Sequence, residues 1–317
     1  SGVAKSEKEL TFAIQNNVRS INIESVAELT RVQKVAESLN TTASIAFRVN
    51  PNVDPETHPY ISTGMDKAKF GVTMEAAFEA YQLANSMSHI DVHGIACHIG
   101  SQITKTSPFS DALEIVLDMV KRLKALDIEI KQLDLGGGLG IDYQGETPPS
   151  ALEYVQSMLN GIKAHGIDLP IAIEPGRYIA GNSGVLLTTV EFIKHNETKN
   201  FAIVDAGMND LMRPSLYQAF HQIKPLEQTS SAKEYLFDVV GPVCESADVL
   251  GYDRHLALEA GDLLAVCSAG AYGFVMANNY NTRLRPAEIL VDGQQTHVIR
   301  ARETYEQLLD NEALIVI

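Results

Sequence analysis

Strand-like and helix-like stretches alternate through about the first 180 residues, and this alternation limits the possible folds more than any other feature of the chain. The strand-like stretches are apolar on both faces, as buried parallel strands are. The stretches between them are longer and repeat their apolar residues at helical spacing. The pattern predicts a parallel sheet whose strands are joined by crossover helices. The five predicted strands carry SINIE, SIAFRVN, HGIACHIG, IKQLDLGG and LPIAIEPG.

Polar side chains and glycines follow four of these strands at their carboxyl ends. A βα-barrel builds its site at that rim, whereas an open doubly wound sheet concentrates its ligand at one switch point. Contributions from four successive strands therefore favour an α/β fold of the TIM-type (β/α)8 barrel class. The residues are Arg48 and Asn50, then His98, Gly100 and Ser101, then Gly136 to Gly138, and finally Glu174, Gly176 and Arg177.

The pattern changes near residue 184, where strand-like stretches follow one another with Gly, Asp and Asn turns and little helix between them. This arrangement predicts a second domain made of β-strands. We place a barrel domain at residues 1–183 and an all-β domain at residues 184–317. The helical stretch RETYEQLL near the end of the chain is predicted to return from the β domain.

The charge and composition exclude several classes of function. The chain of 317 residues carries a formal net charge of −15 and has a pI near 5.0. A duplex nucleic-acid binder usually presents a basic face, and an anionic membrane surface would repel this chain. No apolar run in the sequence reaches the ~18–20 residues of a membrane-spanning helix. Three scattered cysteines do not make a disulfide framework, so we expect a cytoplasmic protein.

The stretch LDLGGGLGI, residues 133–141, places three consecutive glycines after a predicted strand. One glycine suffices for a tight turn, so three indicate that an anion such as a phosphate approaches the backbone N–H groups. The rival interpretation is a dinucleotide-binding fingerprint. Counted from Gly136 and Gly138, that motif needs Gly or Ala at position 141, where Ile141 stands. We therefore expect a phosphate cradle at Gly136, Gly137 and Gly138.

The motif EPGR, from Glu174 to Arg177, sets a carboxylate and a guanidinium on a turn at a strand end. The two can form a surface salt bridge, or they can face a ligand cation and a ligand anion. His98, in HGIACHIGSQ, is open to a similar choice between a core residue and a ligand-facing ring. Cys97 and His98 point to opposite strand faces, and His93 with Cys97 would give only two ligands, so we expect no metal site.

Three stretches in the second half carry reactive or charged side chains at turns. A lone cysteine is usually an inert small apolar residue, but Cys244 lies in a loop beside Glu245, in GPVCESADVL. MRPSLY supplies Arg213 and Tyr217, and AGAYGF supplies Tyr272 in a glycine-flanked turn. Together with a phosphate cradle, a strand-end carboxylate and a flat histidine ring, these groups suit pyridoxal phosphate and an acidic substrate.

Six motifs occur here in the order in which diaminopimelate decarboxylases carry them, and the chain resembles that family over nearly its whole length. The family consists of fold-type III pyridoxal-phosphate enzymes, with a barrel and a β domain, that make lysine. GMNDLMRPSLY and CESAD are specific within the wider group of alanine racemases and of ornithine, arginine and carboxynorspermidine decarboxylases, whereas EPGR and HxGS are shared more broadly. The six motifs are HIGSQ, LDLGGGLGI, EPGR, DAGMNDLMRPSLY, GPVCESAD and SAGAYG.

The resemblance implies a reaction and a cofactor site. The reaction would be the decarboxylation of meso-2,6-diaminopimelate to L-lysine and carbon dioxide, with pyridoxal 5'-phosphate as cofactor. Glu174 would contact the pyridinium nitrogen, and His98 would stack on the ring. The other cofactor-binding residues, most of them around the phosphate, would be Ser101, Gly136, Gly137, Gly138, Gly176, Arg177 and Tyr272.

The resemblance also implies how the substrate, a small molecule, is held. Cys244 would be the proton donor, acting across the interface of a head-to-tail homodimer. Glu245 would bind the ammonium group at the non-reacting end of the substrate. The other substrate-binding residues, most of them facing a carboxylate, would be Arg177, Arg213, Tyr217 and Tyr272.

One departure from the family pattern leaves alternatives open. Family members carry the lysine that binds the cofactor covalently on the first barrel strand, in a Tyr-Ala-x-Lys-Ala-Asn-like stretch, and no such stretch occurs in this sequence. We therefore expect an N-terminally truncated chain whose barrel lacks its first strands and which is inactive alone. The alternatives are another fold-type III decarboxylase, a non-catalytic cofactor-binding homologue and an NAD-dependent barrel enzyme.

Overall fold

A computed structural model describes residues 1–54, 69–227, 232–313 and 315. Its contacts divide the chain into two compact units. The first unit contains Ser1–Asp142 and Glu146–Arg177, and the second contains Tyr143–Gly145 and Tyr178–Ile317. The units separate at residues 177 and 178, slightly before the domain boundary that we expect at residues 183 and 184. The functional boundary stays a prediction.

The first unit is built on a sheet whose five main strands are all parallel and lie side by side in chain order. A doubly wound sheet reverses its strand order at the switch point, whereas consecutive barrel strands follow one another as these do. The predicted barrel class is therefore confirmed. The strands are β1 (Ile21–Ile23), β2 (Ala43–Asn50), β4 (Ile90–Cys97), β5 (Gln132–Asp134) and β6 (Ile171–Ala172), with the unpredicted two-residue β3 (Val72–Thr73) beside the end of β2.

The predicted helices of the first unit all form, and a side chain caps the N-terminus of α1, α2, α3 and α5, whereas α4 has no side-chain cap. Ser6 caps the first helix and Glu9 closes a capping box with it, and Ser150 does the same with Glu153. Each box satisfies main-chain N–H groups that lack a partner within the helix. The helices are α1 (Glu7–Gln15), α2 (Val26–Ser38), α3 (Met74–Asn85), α4 (Ser107–Lys124), α5 (Ala151–Ala164) and the short α6 (Gly176–Ala180).

The two faces of the parallel sheet differ in character because successive side chains of a strand alternate between them. One face is apolar and fully buried, and Phe47 and Leu133 there have no exposed surface. The hydroxyl of Tyr81 in α3 ties β2 to β4, since it accepts from the Phe47 N–H at 3.2 Å and donates to the Gly94 carbonyl at 2.7 Å. The opposite face carries small and polar residues, including Asn22, Arg48 and Asp134. The candidate site lies on this polar face.

The second unit is a β domain, as predicted. Its larger sheet has the order β11-β10-β8-β7-β12-β9, in which β8 and β10 pair in parallel and the other described neighbours are antiparallel. Val190, Val204, Val239 and Leu264 form the centre of its core. The strands are β7 (Leu186–His195), β8 (Asn200–Val204), β9 (Ile223–Pro225), β10 (Glu234–Val240), β11 (Val249–Ala257) and β12 (Leu263–Val266), followed by the hairpin β13 (Glu288–Asp292) and β14 (Gln295–Arg300).

Strands β9 and β11 are not predicted from the sequence. β9 has three residues and ends at Pro225, and β11 contains Asp253, Arg254 and His255. Two short helices complete the unit, α7 (Arg213–Tyr217) and α8 (Tyr305–Leu309). Among the helices that the described residues form, none combines the length and the apolar character needed to cross a bilayer.

Candidate active site

The three consecutive glycines form the bend that follows β5, and the chain packs around them too closely for any side chain. A Cβ on Gly136 would lie 2.3 Å from the Cys97 carbonyl oxygen, and one on Gly137 would lie 2.2 Å from the Glu174 carbonyl oxygen. Gly136 and Gly138 also have positive φ angles of 66° and 109°. The inference that packing cannot account for three glycines is therefore wrong, because the ends of β4 and β6 press on them. The bend still leaves a surface without side chains, but its Gly136 and Gly137 N–H groups already donate to Asp134 and to Nδ1 of His98.

His98 follows β4 and is joined to this bend. The Gly137 N–H donates to Nδ1 of His98 at 3.0 Å, so Nδ1 acts as an acceptor and carries no proton. Burial, and next the positive charge of Arg48, lower the pKa of His98 to about 4. The ring is consequently neutral near pH 7, and a neutral flat ring is suited to stacking on another ring.

Glu174 stands on the turn after β6, and its N–H donates to the Gly136 carbonyl at 2.8 Å. Partial desolvation, followed by the neighbouring carboxylate of Asp134, raises the pKa of Glu174. Asp134 itself accepts from the Gly136 N–H and from the side-chain amide of Asn22, each at 3.0 Å. Glu174 and Asp134 thus form an acidic pair beside the glycine bend. Such a pair favours a cationic ligand group, for example a protonated ring nitrogen.

The acidic pair and His98 line one cavity of the first unit, with a volume of about 240 Å³. The cation in its wall, Arg48, is already paired with the buried Glu24 at 3.2 Å and stacks on Phe70. The charge of Arg48 also lowers the pKa of Glu174, but less than desolvation and the charge of Asp134 raise it. The cavity lining is completed by Ser1, Asn22, Ala96 and Cys97.

Two of the predicted site residues of the first unit, Ser101 and Arg177, lie in contact. The guanidinium of Arg177 is buried and donates to the Ser101 hydroxyl at 3.0 Å. Gly176, in contrast, has open space beside it, because no heavy atom lies within 4 Å of the position that a Cβ would occupy. Its glycine identity therefore does not follow from packing.

The second unit carries the other candidate residues. Arg213 is buried at the start of α7, with one guanidinium nitrogen 2.7 Å from Nε2 of His221 and its centre 4.6 Å above the Tyr143 ring. Tyr217 ends the same helix and is half-buried. Tyr272 is exposed and has a φ of +57°, a strained conformation for a bulky residue. Such strain is common at functional sites.

Cys244 and Glu245 are exposed on the loop after β10, and buried Asp248 fixes this loop. The Asp248 carboxylate accepts from the Val243 N–H and from the Met208 N–H, each at 2.6 Å. The hydroxyl of Tyr280 donates to the Glu245 carboxylate. Cys244 and Glu245 are therefore presented to solvent by a loop that is itself held rigidly.

Sequence reasoning missed the roles of Asp134, Asn22, Tyr280 and Asp248. Asp134 could have been found, because it lies two residues before Gly136 and so shares the strand face that leads into the bend. Tyr280 lies 35 positions from Glu245, and no local pattern connects them.

A metal site was not expected. Within the part of the chain that the structure describes, no three His, Cys, Asp or Glu residues are grouped to hold a metal ion. Burial, and next the charge of Asp134, raise the pKa of Cys97 to about 12, so this thiol stays protonated and makes a poor metal ligand.

Parallel barrel strands in chain order, followed by a β domain, with a neutral ring and an acidic pair at the strand ends, define a class of pyridoxal-phosphate enzymes. Sequence comparison agrees with this class. The family model described as "Pyridoxal-dependent decarboxylase, pyridoxal binding domain" matches residues 1–181, and the chain belongs to this family. It is a pyridoxal-phosphate-dependent decarboxylase, which excludes the NAD-dependent alternative.

The individual relatives are diaminopimelate decarboxylases. The enzyme of Vibrio cholerae is 51% identical over 315 residues, which cover 99% of this chain and 75% of that protein. The crystal structure of the Helicobacter pylori enzyme, complexed with L-lysine, is 42% identical with a TM-score of 0.93, covering 98% of this chain and 77% of that one. The enzyme of M. jannaschii, also in complex with L-lysine, is 40% identical with a TM-score of 0.93, covering 99% and 74%. The family resemblance stated from the motifs is confirmed.

The residues of the first unit fit pyridoxal phosphate on three structural grounds. The bend at Gly136 to Gly138 excludes side chains, His98 offers an uncharged ring, and Glu174 stands beside a second carboxylate. These groups match an anionic phosphate, an aromatic ring and a protonated ring nitrogen respectively. The agreement supports the cofactor assignment, while the role of each residue remains a proposal.

Proposed function

We propose that the protein decarboxylates meso-2,6-diaminopimelate to L-lysine and carbon dioxide. The observation that carries the proposal is the acidic pair of Glu174 and Asp134 beside the glycine bend and the neutral ring of His98. This arrangement suits a phosphorylated cofactor with a cationic ring. The substrate is taken from the relatives, which are named diaminopimelate decarboxylases at about 50% identity.

Residues of the first unit, together with Tyr272 of the second, bind and orient the cofactor in this proposal. Glu174 keeps the ring nitrogen protonated, and His98 supports the ring face. Bound pyridoxal phosphate supplies an electron sink for the electron pair that remains on the substrate α-carbon when carbon dioxide leaves. The phosphate and its surroundings are contacted by Ser101, Gly136, Gly137, Gly138, Gly176, Arg177 and Tyr272.

Residues of the second unit, together with Arg177 of the first, bind the substrate and complete the reaction. Arg213, with Arg177, Tyr217 and Tyr272, holds substrate carboxylate, because a guanidinium forks onto a carboxylate with two parallel hydrogen bonds. Glu245 binds the ammonium group of the non-reacting end. Cys244 donates the proton that the α-carbon needs after carbon dioxide has left, and its exposed position on a fixed loop supports this role.

The proposal includes a head-to-tail homodimer in the cytoplasm. The acidic net charge of −15 supports solubility. The dimer is supported by the family resemblance, in which Cys244 acts across the interface. Sedimentation of the purified protein tests it, since a monomer at all concentrations would contradict the proposed placement of Cys244.

The activity is tested by comparing three amino-acid substrates. Purified protein is incubated with pyridoxal phosphate and either meso-diaminopimelate, ornithine or arginine, and the amine products are separated by chromatography. We expect L-lysine from meso-diaminopimelate and at least ~10⁴-fold less product from the other two, because they leave the charged groups that face the distal end unpaired. Product from ornithine or arginine at a similar rate would favour the alternative decarboxylases. Cofactor binding without any product would favour a non-catalytic homologue.

A further inference from the structure

Gln102 has an unusual backbone conformation at the edge of the proposed phosphate cradle. Its φ is +60°, in the left-handed region that side chains other than glycine disfavour. Glycine would adopt this conformation without steric cost. The presence of glutamine therefore indicates that its side chain is needed at this position.

Both polar atoms of the Gln102 side-chain amide form hydrogen bonds with Ile141, three residues after the glycine bend. Nε2 of Gln102 donates to the Ile141 carbonyl at 2.6 Å, and Oε1 accepts from the Ile141 N–H at 3.2 Å. A paired amide of this kind reproduces the two bonds that a neighbouring β-strand residue would make. It fixes both the distance and the orientation of the Ile141 peptide.

The residue after Gln102 continues the same attachment. The Ile103 N–H donates to the Gly138 carbonyl at 2.8 Å, and the Ile103 carbonyl accepts from the Gly140 N–H at 3.0 Å. Residues 102 and 103 thus join the loop after β4 to residues 138–141, which begin at the last glycine of the bend. Ser101 precedes Gln102, and its hydroxyl accepts from Arg177 instead of bonding to residues 138–141.

We propose that Gln102 is a positioning residue for the cofactor phosphate. Its left-handed backbone separates Ser101 from Ile103, and its amide together with the Ile103 main chain holds residues 138–141, so that the Ser101 hydroxyl and the Gly138 end of the bend keep a fixed spacing. A phosphate bound between two loops needs its donors at that spacing before it arrives, since ordering the loops on binding would weaken affinity. The inference rests on the proposed phosphate cradle.

The test compares two ligands that differ only in the phosphate. The dissociation constants of pyridoxal 5'-phosphate and of unphosphorylated pyridoxal are measured by fluorescence titration for the full protein and for Gln102→Gly and Gln102→Glu. Gln102→Gly accepts the backbone conformation but removes the clamp, and Gln102→Glu keeps the shape but loses the donor to Ile141. We expect both variants to bind pyridoxal phosphate roughly tenfold more weakly and pyridoxal within about twofold of the parent.

Two control variants separate the clamp from other effects. Asn40→Gly changes another residue with positive φ, 50°, remote in sequence from the bend, and should leave both constants unchanged. Ser101→Ala removes a proposed phosphate ligand and should weaken pyridoxal phosphate selectively. If Ser101→Ala has this effect and the Gln102 variants do not, the positioning role of Gln102 is overturned while the phosphate cradle stands. If neither position matters, the phosphate cradle and with it the clamp are both overturned.

Two further results test the positioning role if a Gln102 variant is destabilised or does not fold. Equal weakening of both ligands by the Gln102 variants would show a general structural role and overturn the positioning role. If neither variant folds, hydrogen exchange of the parent protein is used instead. The Ile141 amide should already exchange slowly in the cofactor-free protein, because the clamp is in place before the phosphate arrives, and exchange as fast as that of an unbonded amide would overturn the proposal.

Discussion

The main-chain N–H of Gly137 donates a hydrogen bond to Nδ1 of His98, with 3.0 Å between the two nitrogens. This bond joins the glycine bend to the end of β4 and fixes the tautomer of the ring, which must carry its proton on Nε2. A protonated ring would carry hydrogen on both nitrogens and would lose this acceptor. The bend and the histidine therefore depend on each other.

His98 should remain neutral through the physiological pH range. Its pKa of about 4 lies below the ordinary value of 6.5, so the unfolded state binds more protons between those two pH values. The free energy of unfolding should therefore fall as pH decreases from about 6.5 to 4, by on the order of 3 kcal/mol from this group. Denaturant titrations across this range, compared with His98→Asn, measure the difference. The prediction fails if NMR titration of His98 gives a midpoint near 6.5.

Gly137→Ala should destabilise the protein and impair cofactor binding together. The added methyl would lie 2.2 Å from the Glu174 carbonyl oxygen, so the bend or the turn after β6 must move. Overpacking of this kind costs roughly 1–3 kcal/mol in unfolding free energy. The matched substitution Gly176→Ala meets no atom within 4 Å and should change the unfolding free energy by less than about 1 kcal/mol. Equal effects of the two substitutions would contradict the packing argument.

Cys244→Ala should slow turnover and leave the absorbance of the bound cofactor intact. The thiol is proposed to donate a proton to the substrate, and removal of a general acid typically lowers the rate by roughly 10²-fold or more. Steady-state kinetics and an absorbance spectrum of the full protein provide the two readouts. Cys267→Ala, which changes a partly buried thiol, serves as the control. Normal turnover of Cys244→Ala would remove this residue from the chemistry.

Tyr280→Phe should weaken substrate binding more than it slows the reaction. The Tyr280 hydroxyl donates to the Glu245 carboxylate, which raises the pKa of Tyr280 and orients the group proposed to bind the substrate ammonium. Loss of this bond should raise KM for diaminopimelate roughly three- to tenfold, with a smaller change in kcat. Tyr252→Phe, at an exposed position of β11, is the control. A decrease in kcat alone would indicate that Tyr280 acts elsewhere.

Much of the fold could be predicted because it depends on local patterns. Apolar runs on both faces identify the buried parallel strands, and the capping boxes at Ser6 and Ser150 mark helix starts. β3 and β9 could not be predicted, because neither lies in an apolar run: β3 is the pair Val72–Thr73, and β9 contains Lys224 and ends at Pro225. They form because neighbouring strands supply hydrogen bonds to them.

Motifs identify the candidate site residues, whereas the physical reason for the three glycines could not be inferred from them. His98, Ser101, Glu174 and Arg177 were proposed from motifs, and the hydrogen bond between Ser101 and Arg177 was not predicted. The reason for the three glycines was misjudged, because the carbonyl groups that exclude a Cβ come from residues about 40 positions before and after the bend. Contacts between residues so far apart in the chain cannot be inferred from sequence spacing.

The sequence by itself determined the order of elements, the residues capable of chemistry and the family to which the chain belongs. Periodicity and short motifs carry that information, and both are local properties of the chain. The tertiary structure alone decided which groups share an environment: the proton position on His98, the acidic pair of Asp134 and Glu174, and the clamp from Gln102 to Ile141. Charge state, burial and hydrogen-bond geometry depend on distances in space, and these exist only once distant segments have packed together.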